Sequence, residues 1–357
     1  MGRVAVLAVV ATLGWAVVVP AVPAPEPPAE APRPLLIVAD EWDSMDVLAD
    51  SSGQVRVAAA EVPTPAAGFR WVEQPEGRLA LLEGDRPVLT YNWGDQLKAG
   101  VPADRKRSCY VHPVFGLDGE ELTDDFPKDH YHHRGLSWMW NRVTVGGRNV
   151  DLWTIKGIRQ RFSKWLERRA DAQGAVLAVE NNWVMDGPPV ARETVRLQVQ
   201  RAEAAGRAID VEVRLEALAG PMELRGEATK GYGGLCFRFA PREATVITTP
   251  AGREEKDSDH KRFPWADLSA RFAGRSDASG AAVFIHPANP TAPNEWTLRH
   301  YGFLGPCWPA MEAATLEPGK PVTLRYRVWI HRGDAAAGEV AKAYDAYRAS
   351  AAQGDAK

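Results

Sequence analysis

Three stretches of the sequence alternate apolar and polar side chains. Residues 195–200, 209–216 and 322–330 place Val, Leu, Ile or Tyr at every second position, with mostly charged or polar residues between them. Alternation with a period of two puts the apolar side chains on one face of a β-strand and the polar ones on the other. Antiparallel sheets with one solvated face show this pattern. The alternation therefore predicts half-buried antiparallel strands.

Shorter segments extend this prediction. Residues 78–83 and 87–93 read as two strands joined in a hairpin across Gly84-Asp85-Arg86. The runs 136–140, 235–239 and 281–285 are further expected strands. Helix signals are scarce, and the one amphipathic candidate is 338–352, where Val340, Tyr344 and Tyr347 share a face. Many short strands with one helix predict an all-β fold, a large antiparallel β-sandwich with a short C-terminal helix.

The N-terminus has the layout of an export signal. Arg3 precedes an apolar run from Val4 to Val19, and small residues follow at Val22-Pro23-Ala24. This arrangement predicts a cleaved signal peptide over residues 1–24. The apolar run is shorter than the roughly 20 residues that a membrane-spanning helix needs, which favours cleavage over a membrane anchor. We expect an exported protein, periplasmic or extracellular, with no membrane span after cleavage.

Composition divides the remaining chain. Residues 25–34 are rich in proline and alanine and predict a linker that buries little apolar surface. Residues 35–68 form an N-terminal extension with no clear pattern, and an edge strand or a poorly ordered segment are both compatible with it. The β-sandwich domain is expected over 69–333, followed by a C-terminal helix and tail over 334–357.

Charge and cysteine content limit the partners. The formal net charge is −3, so no basic face for nucleic acid is expected. Three cysteines are too few for a disulfide-built scaffold, although one bridge with one free thiol would be compatible with export. Of the 13 tryptophans, we expect most in the core and two or three as platforms for sugar rings.

One segment concentrates chemically reactive side chains. Residues 125–134 contain two aspartates, a lysine, three histidines and an arginine. So many charges cannot enter an apolar core without partners, so a structured loop is expected here, followed by the strand 136–140. If the segment is extended, His130 and His132 share one side and His133 points away.

Three interpretations of this loop remain open. Imidazole titrates near neutrality and a neighbouring aspartate can fix its tautomer, which favours acid/base catalysis. His130 and His132 with a distant carboxylate could instead bind a divalent metal, but the spacing is not that of a helical zinc motif. A solvated loop held by ion pairs is the third interpretation, and it explains the charges better than the histidines. No cofactor is predicted from any motif.

Other residues could converge on the loop. Tyr110 and His112 share a face of an extended segment, and His286, Asn289, Trp296, Arg299 and Tyr301 cluster near the ends of later strands. Loops at strand ends are where function concentrates in sandwiches. Glu193 and Glu227 could supply a carboxylate partner, an idea that rests on position alone.

The chain also resembles a known family. The motifs Tyr110-Val111-His112-Pro113, residues 125–136 around His-His-Arg-Gly, and His286-Pro287-Ala288-Asn289-Pro290 resemble a bacterial family named methane oxygenase PmoA. Trp296, Arg299, Tyr301-Gly302 and Leu316-Glu317-Pro318-Gly319 extend the similarity, which covers about 69–332. The resemblance implies a secreted protein with a supersandwich like that of galactose mutarotase, and the absence of flavin or haem motifs argues against an oxygenase.

We therefore expect a carbohydrate-active epimerase, lyase or hydrolase that acts on a sugar or another small molecule by histidine acid/base chemistry. The expected catalytic residues are Asp129, His130, His132, His133 and Arg134. The expected substrate-binding residues are Tyr110, His112, Lys128, His286, Asn289, Trp296, Arg299 and Tyr301. A non-catalytic carbohydrate-binding or cell-surface module and a metal-dependent enzyme are the alternatives.

Overall fold

The computed structural model describes residues 68–354 and two short strands before them. These strands, β1 (Val47–Ala49) and β2 (Val55–Val57), pair in antiparallel orientation. Both strands lie in a first unit of the chain, and residues 68–354 lie in a second. The expected signal peptide and linker, residues 1–34, lie outside the described residues, so export stays a prediction.

The second unit is built on two nine-stranded sheets in which all neighbours are antiparallel. The first sheet has the order β10-β11-β12-β13-β24-β20-β19-β16-β17. Its strands are β10 (Arg159–Ala170), β11 (Gly174–Val184), β12 (Pro189–Gln200), β13 (Gly206–Ala217), β16 (Arg242–Thr249), β17 (Gly252–Glu254), β19 (Trp265–Phe272), β20 (Ser279–Ile285) and β24 (Val322–Arg332).

The second sheet has the order β18-β21-β22-β15-β7-β6-β5-β4-β3. Its strands are β3 (Phe69–Gln74), β4 (Arg78–Glu83), β5 (Arg86–Asn92), β6 (Tyr110–Val114), β7 (Leu136–Met139), β15 (Gly234–Arg238), β18 (Ser258–Arg262), β21 (Glu295–Arg299) and β22 (Phe303–Cys307). The loop that carries the histidines connects β6 to β7, near the middle of this sheet.

Two smaller elements complete the unit. A four-stranded sheet has the order β23-β14-β8-β9. Its strands are β8 (Arg142–Val145), β9 (Arg148–Val150), β14 (Met222–Arg225) and β23 (Ala314–Leu316). The helix α1 (Val340–Gly354) follows β24, and its Tyr347 packs near Phe284 of β20 at a ring distance of 6.1 Å.

The two large sheets share one apolar core. Leu197 and Val211 of the first sheet and Leu81 and Phe237 of the second belong to the same cluster of buried side chains. Removing these apolar faces from water is the dominant favourable contribution to folding. The predicted antiparallel β-sandwich with a C-terminal helix is confirmed.

The strand positions follow the sequence pattern closely. The expected strand 78–83 coincides with β4, and 87–93 matches β5 shifted by one residue. The alternating runs lie inside β12, β13 and β24, which extend beyond them. The helix runs from Val340 to Gly354 rather than 338–352. Terminal residues of elements depend on capping and packing, which a pattern specifies poorly.

Two further expectations can be compared with the structure. Cys109, Cys236 and Cys307 are all buried free thiols, so no disulfide forms among them. Within residues 68–354, no helix combines the length and the apolar character that a membrane span requires.

Candidate active site

Two consecutive turns shape the histidine loop. The His130 amide donates to the Pro127 carbonyl at 3.0 Å, and the His133 amide donates to the His130 carbonyl at 2.8 Å. The expectation that His133 would point away from His130 and His132 assumed an extended segment and is wrong. The turns fold the backbone back on itself, so that all three imidazoles meet.

The three imidazole rings are in direct contact. His130 stacks on His133 with ring centroids 4.6 Å apart and an interplanar angle of 8°. His132 meets both rings edge to face, at 5.6 Å from His130 and 4.7 Å from His133. Tyr301, from the loop between β21 and β22, lies nearly parallel to His130 at 5.2 Å. The cluster is therefore a compact aromatic group with several nitrogen atoms.

Asp129 links this cluster to a buried arginine. One carboxylate oxygen lies 2.9 Å from His130 Nδ1, and both oxygens accept hydrogen bonds of 3.0 Å from Arg238 Nη2. Burial acts to raise the pKa of Asp129, but the bond to His130 and the Arg238 charge outweigh it and hold that pKa below its ordinary value. Asp129 is therefore a carboxylate at neutral pH.

The other two histidines are neutral at neutral pH. Burial lowers the pKa of His132 from 6.5 to about 4, and the nearby His130, Arg107 and Arg105 act in the same direction. Burial, followed by the charges of His132 and His130, holds the pKa of His133 well below its ordinary value. Neutral imidazoles can accept and donate hydrogen bonds, as sugar hydroxyls do.

The three histidines line a cavity of about 300 Å³, which we call the histidine cavity. Its walls are largely aromatic, a composition that suits the apolar faces of a sugar ring. The lining residues are His130, His132, His133, Trp153, Lys230, Tyr232, Thr297, Arg299, Tyr301 and Phe303.

A second cavity of about 640 Å³ adjoins the first and shares Tyr301 with it. We call it the lysine cavity because Lys98 and Lys128 line it. Its other lining residues are Ala99, Gly100, Val101, Asp124, Phe126, Pro127, Asp129, Tyr131, Arg238, Phe239, Pro241, Arg242 and Tyr301. Asp129 and its arginine partner thus face the lysine cavity, while His130 faces the histidine cavity.

His112 lies in a third cavity, of about 310 Å³. Its Nδ1 is 3.0 Å from the Thr123 hydroxyl, and its Nε2 is 3.6 Å from a Glu121 carboxylate oxygen. Burial, together with the charges of Lys98 and Arg134, lowers the pKa of His112 to about 3. His112 therefore does not line the histidine cavity. Lys98 lines both the cavity that contains His112 and the lysine cavity.

Arg134 and Tyr110 support the loop from beneath. The fully buried Arg134 guanidinium donates to the carbonyls of Tyr131, His133 and Arg105 at 2.6–2.7 Å, and it lies 3.4 Å from the Phe126 ring. Its Nε is 3.4 Å from Asp125, which also accepts a 2.7 Å hydrogen bond from the Tyr110 hydroxyl. These contacts favour a structural role for both residues over the catalytic role expected for Arg134 and the substrate-binding role expected for Tyr110.

The glycine of the His-His-Arg-Gly motif has a steric role. A Cβ atom at Gly135 would lie 2.5 Å from the Val111 carbonyl oxygen, a distance that side-chain carbons do not adopt. Gly135 therefore lets the loop rejoin the sheet next to β6.

Three expected binding residues lie away from these cavities. Trp296 is fully buried and its indole donates to the Phe263 carbonyl at 2.8 Å. His286 contacts Tyr347 of α1 at 5.7 Å, and the Asn289 side chain bonds the Arg325 backbone on β24. Successive side chains along β21 point to opposite faces of the sheet. Thr297 and Arg299 face the histidine cavity, and Trp296 therefore faces the core.

Arg299 lines the cavity with its charge already compensated. Its Nη2 makes hydrogen bonds of 2.7 and 2.9 Å to the Asp259 carboxylate, and Nη1 donates to two backbone carbonyls.

Glu193 and Glu227, which could have supplied a carboxylate partner, do not contact the histidine loop. Glu193 is buried against Gln160, Asn181 and Trp183, and Glu227 accepts bonds from its own turn.

The described residues do not provide the ligand set that the metal interpretation of the histidine loop requires. In the part of the chain that the structure describes, no group of three or more histidine, cysteine, aspartate or glutamate side chains is arranged to hold a metal ion. His130 and His132, the two ligands considered from the sequence, meet edge to face, and His130 Nδ1 is engaged with Asp129.

Several cavity residues were missed from the sequence. Arg238 could have been found, because a charge inside the apolar run 235–239 must be buried with a partner. Trp153, Tyr232 and Lys230 gave no local signal, and neither did Lys98 or Arg242 of the lysine cavity, whereas Asp124 directly precedes the segment singled out at 125–134. Apart from Asp124, these residues come from distant loops and strand ends, and only the fold brings them together.

Solved structures with some similarity include carbohydrate-active enzymes. A GalM/aldose epimerase homologue from C. elegans is 9% identical, with a TM-score of 0.34, 75% of this chain covered and 100% of that chain. A heparinase III is 10% identical with a TM-score of 0.31, with 75% of this chain and 35% of that chain covered. A protein described as a putative kojibiose phosphorylase from the human microbiome is 13% identical with a TM-score of 0.30, with 71% of this chain and 29% of that chain covered. This chain thus spans about a third of the heparinase and less of the phosphorylase. TM-scores of this size do not establish a shared topology.

The remaining comparisons concern the family. No protein with a curated description matches the chain. The matches name no methane oxygenase, so that resemblance rests on the quoted motifs alone. A family model does match residues 78–345, from β4 into α1 and across all three cavities. The chain therefore belongs to DUF6807, a family of unknown function.

Proposed function

We propose that this chain is an exported carbohydrate-active enzyme that transfers a proton with His130 in the histidine cavity. The observation that carries the proposal is the chain of contacts from Arg238 through Asp129 to His130, which ends at a cavity with aromatic walls. In general acid/base catalysis, an imidazole held by a carboxylate is a recurrent arrangement.

The contacts of Asp129 define what His130 can do. The carboxylate accepts a hydrogen bond from Nδ1, which leaves Nε2 as the nitrogen that takes or gives a proton. When Nε2 takes a proton, the imidazolium is stabilised by the adjacent carboxylate. Arg238 fixes the carboxylate by two further hydrogen bonds, so His130 is oriented before a substrate arrives.

The rest of the cavity suits a sugar. His132 and His133 are neutral and can bind hydroxyl groups without adding charge. The partly exposed rings of Tyr232 and Tyr301 offer apolar surface that a pyranose can contact, and the buried Trp153 ring lies behind them in the cavity wall. Burial raises the pKa of Tyr301 to about 12, so its phenol is protonated at neutral pH and can donate a hydrogen bond to a sugar oxygen.

Among the three reaction types considered, hydrolysis has the least support. Most glycosidases act with a pair of carboxyl groups on either side of the scissile bond. None of the described residues that line the histidine cavity is an aspartate or a glutamate. An epimerase or a lyase, which needs a base and a proton donor, fits the histidines and Tyr301 better.

The test is an activity screen with a matched variant. The purified protein is incubated with monosaccharides and oligosaccharides, epimerisation is followed by NMR, and elimination by the ultraviolet absorbance of the unsaturated product. Once a substrate is found, His130→Gln should reduce turnover by about 10²–10⁴-fold, the usual contribution of a general base. His286→Gln is the control, since His286 lies against α1.

Two outcomes would contradict the proposal. Turnover retained in His130→Gln would remove His130 from the reaction. Ligand-induced changes in tryptophan fluorescence with no product after long incubation would favour a non-catalytic carbohydrate-binding module instead.

A further inference from the structure

The lysine cavity carries more positive than negative charge. Its lining includes four cations, Lys98, Lys128, Arg238 and Arg242, and two carboxylates, Asp124 and Asp129. The ion pair between Asp129 and Arg238 is internally compensated. Three cations then stand against Asp124 alone, in a chain whose formal net charge is −3. The excess is therefore local to this cavity.

The two lysines are available to a ligand. Both Lys98 and Lys128 are exposed, and neither has a carboxylate within ion-pair distance among the residues that the structure describes. An ammonium group at the rim of a cavity attracts anions at short range, and the attraction weakens as salt is added.

The third cation is held without a carboxylate. The Arg242 guanidinium donates to the carbonyls of Ala240 at 2.6 Å and His300 at 3.0 Å. Burial and the neighbouring Arg238 charge lower the pKa of Arg242 to about 10, and the group stays protonated at neutral pH. A partly buried cation that is paired only with carbonyl dipoles adds to the positive field of the cavity.

The positive cavity and the histidine cavity adjoin. Tyr301 lines both, with 39% of its surface exposed, and its ring lies 4.7 Å from the Arg238 guanidinium and 5.2 Å from the His130 ring. A ligand that passes Tyr301 can therefore place one ring beside His130 and the next beside the lysines.

We propose that the lysine cavity binds the acidic group of a sugar, so that the substrate is an acidic oligosaccharide with one residue in the histidine cavity and an adjacent carboxylate- or sulfate-bearing residue near Lys98 and Lys128. This inference rests on the proposed function, because it assigns the reacting residue to the His130 side. A neutral oligosaccharide would fill the space without using the cation excess.

The experiment measures binding rather than turnover. Calorimetric titrations use His130→Gln protein, so that no ligand is consumed. The probes are galacturonate oligosaccharides with their carboxyl-reduced counterparts, and sulfated galactan oligosaccharides with their desulfated counterparts. We expect at least one acidic probe to bind about tenfold or more tightly than its neutral counterpart, and its affinity to fall as salt is raised. The two pairs distinguish carboxylate from sulfate recognition.

Charge-removal variants then localise the effect. Lys98→Met combined with Lys128→Met should remove most of the preference for the acidic probe. The matched control is Lys320→Met combined with Lys342→Met, because these exposed lysines pair with Glu317 and Glu339 and line none of the cavities described above. The control should bind like the parent protein.

The failures of the two proposals are distinguishable. If neutral probes bind as tightly as acidic ones, if no acidic probe binds, or if the lysine variant keeps the preference, the inference is overturned. Turnover of a neutral sugar that depends on His130 would overturn the inference and leave the proposed function intact. Acidic selectivity without any turnover by the parent protein would overturn the proposed function instead.

Discussion

Two of the histidine–aspartate pairs lie in very different surroundings within the molecule. In the loop before β7, His130 Nδ1 lies 2.9 Å from Asp129, with 35% and 46% of the two side chains exposed. In the first sheet, His331 Nε2 of β24 lies 2.7 Å from Asp267 of β19, and both side chains are fully buried. Both contacts join an imidazole nitrogen to a carboxylate oxygen, but the first pair is partly exposed and the second is completely buried.

The surroundings determine what each pair can contribute. His130 borders a cavity, so a ligand can reach it, and Arg238 supports its aspartate. His331 lines none of the cavities described above, and burial, which acts to lower its pKa, is outweighed by the charge and hydrogen bond of Asp267. A carboxylate beside an imidazole is therefore a weak sign of catalysis, and access to a cavity is the stronger one.

The largest expected difference between the pairs is in stability. Replacing His331 by Ala should lower the free energy of unfolding by about 3–5 kcal/mol, because Asp267 would remain as a buried charge without its partner. Denaturant unfolding measures this, with His130→Ala as the matched variant, for which the change should stay below about 1 kcal/mol since the pair is half exposed. Equal losses of unfolding free energy in the two variants would contradict the proposed difference between the two pairs.

The second prediction concerns activity. Asp129→Asn keeps the size of the side chain and removes the charge that orients His130, so turnover of the substrate found in the screen should fall by about 10–100-fold. The fall should be mainly in kcat. Asp267→Asn should leave the activity per folded molecule unchanged, and a comparable loss in that variant would show that the buried pair also affects the site.

The smallest expected effect is in the response to acid. The pKa of His132 is lowered from 6.5 to about 4 in the folded protein. Between pH 6.5 and about 4, this histidine therefore binds a proton in the unfolded chain but not in the folded protein. The free energy of unfolding should therefore decrease as the pH falls through this window. His132→Gln should make the decrease shallower, as measured by denaturant unfolding at several pH values.

His331 supplies the control for this experiment. Its pKa is raised in the folded protein, so its stabilisation is complete below 6.5 and is lost only as the pH rises through the folded value. Replacing both members of the pair, His331→Gln together with Asp267→Asn, should shift the whole curve without changing its slope between pH 6.5 and about 4, because no buried charge is left without a partner. A changed slope in this variant, or an unchanged one in His132→Gln, would contradict the assignment.

The sequence predicted part of the site and misplaced another part. Residues 125–134 were correctly singled out as a loop, and Asp129, His130, His132, His133, Arg299 and Tyr301 do converge around one pair of cavities. His286 and Asn289 do not, because they form the turn after β20 and bond the backbone of β24. Histidines occur in both groups, so residue type alone could not show which side chains lie close together in space.

What the sequence determined by itself is local. Apolar alternation in residues 195–200, 209–216 and 322–330 was enough to specify strands, since each strand buries one face whatever its neighbours are. The density of charge in residues 125–134 was enough to predict a loop rather than a strand, although His133 and Arg134 of this loop are buried. Tertiary structure decided the rest: two turns stacked the imidazoles, and Arg238, 109 residues from Asp129, reached that carboxylate through the pairing of β15 with β7. Contacts between distant strands depend on register and packing, and no stretch of the chain encodes them alone.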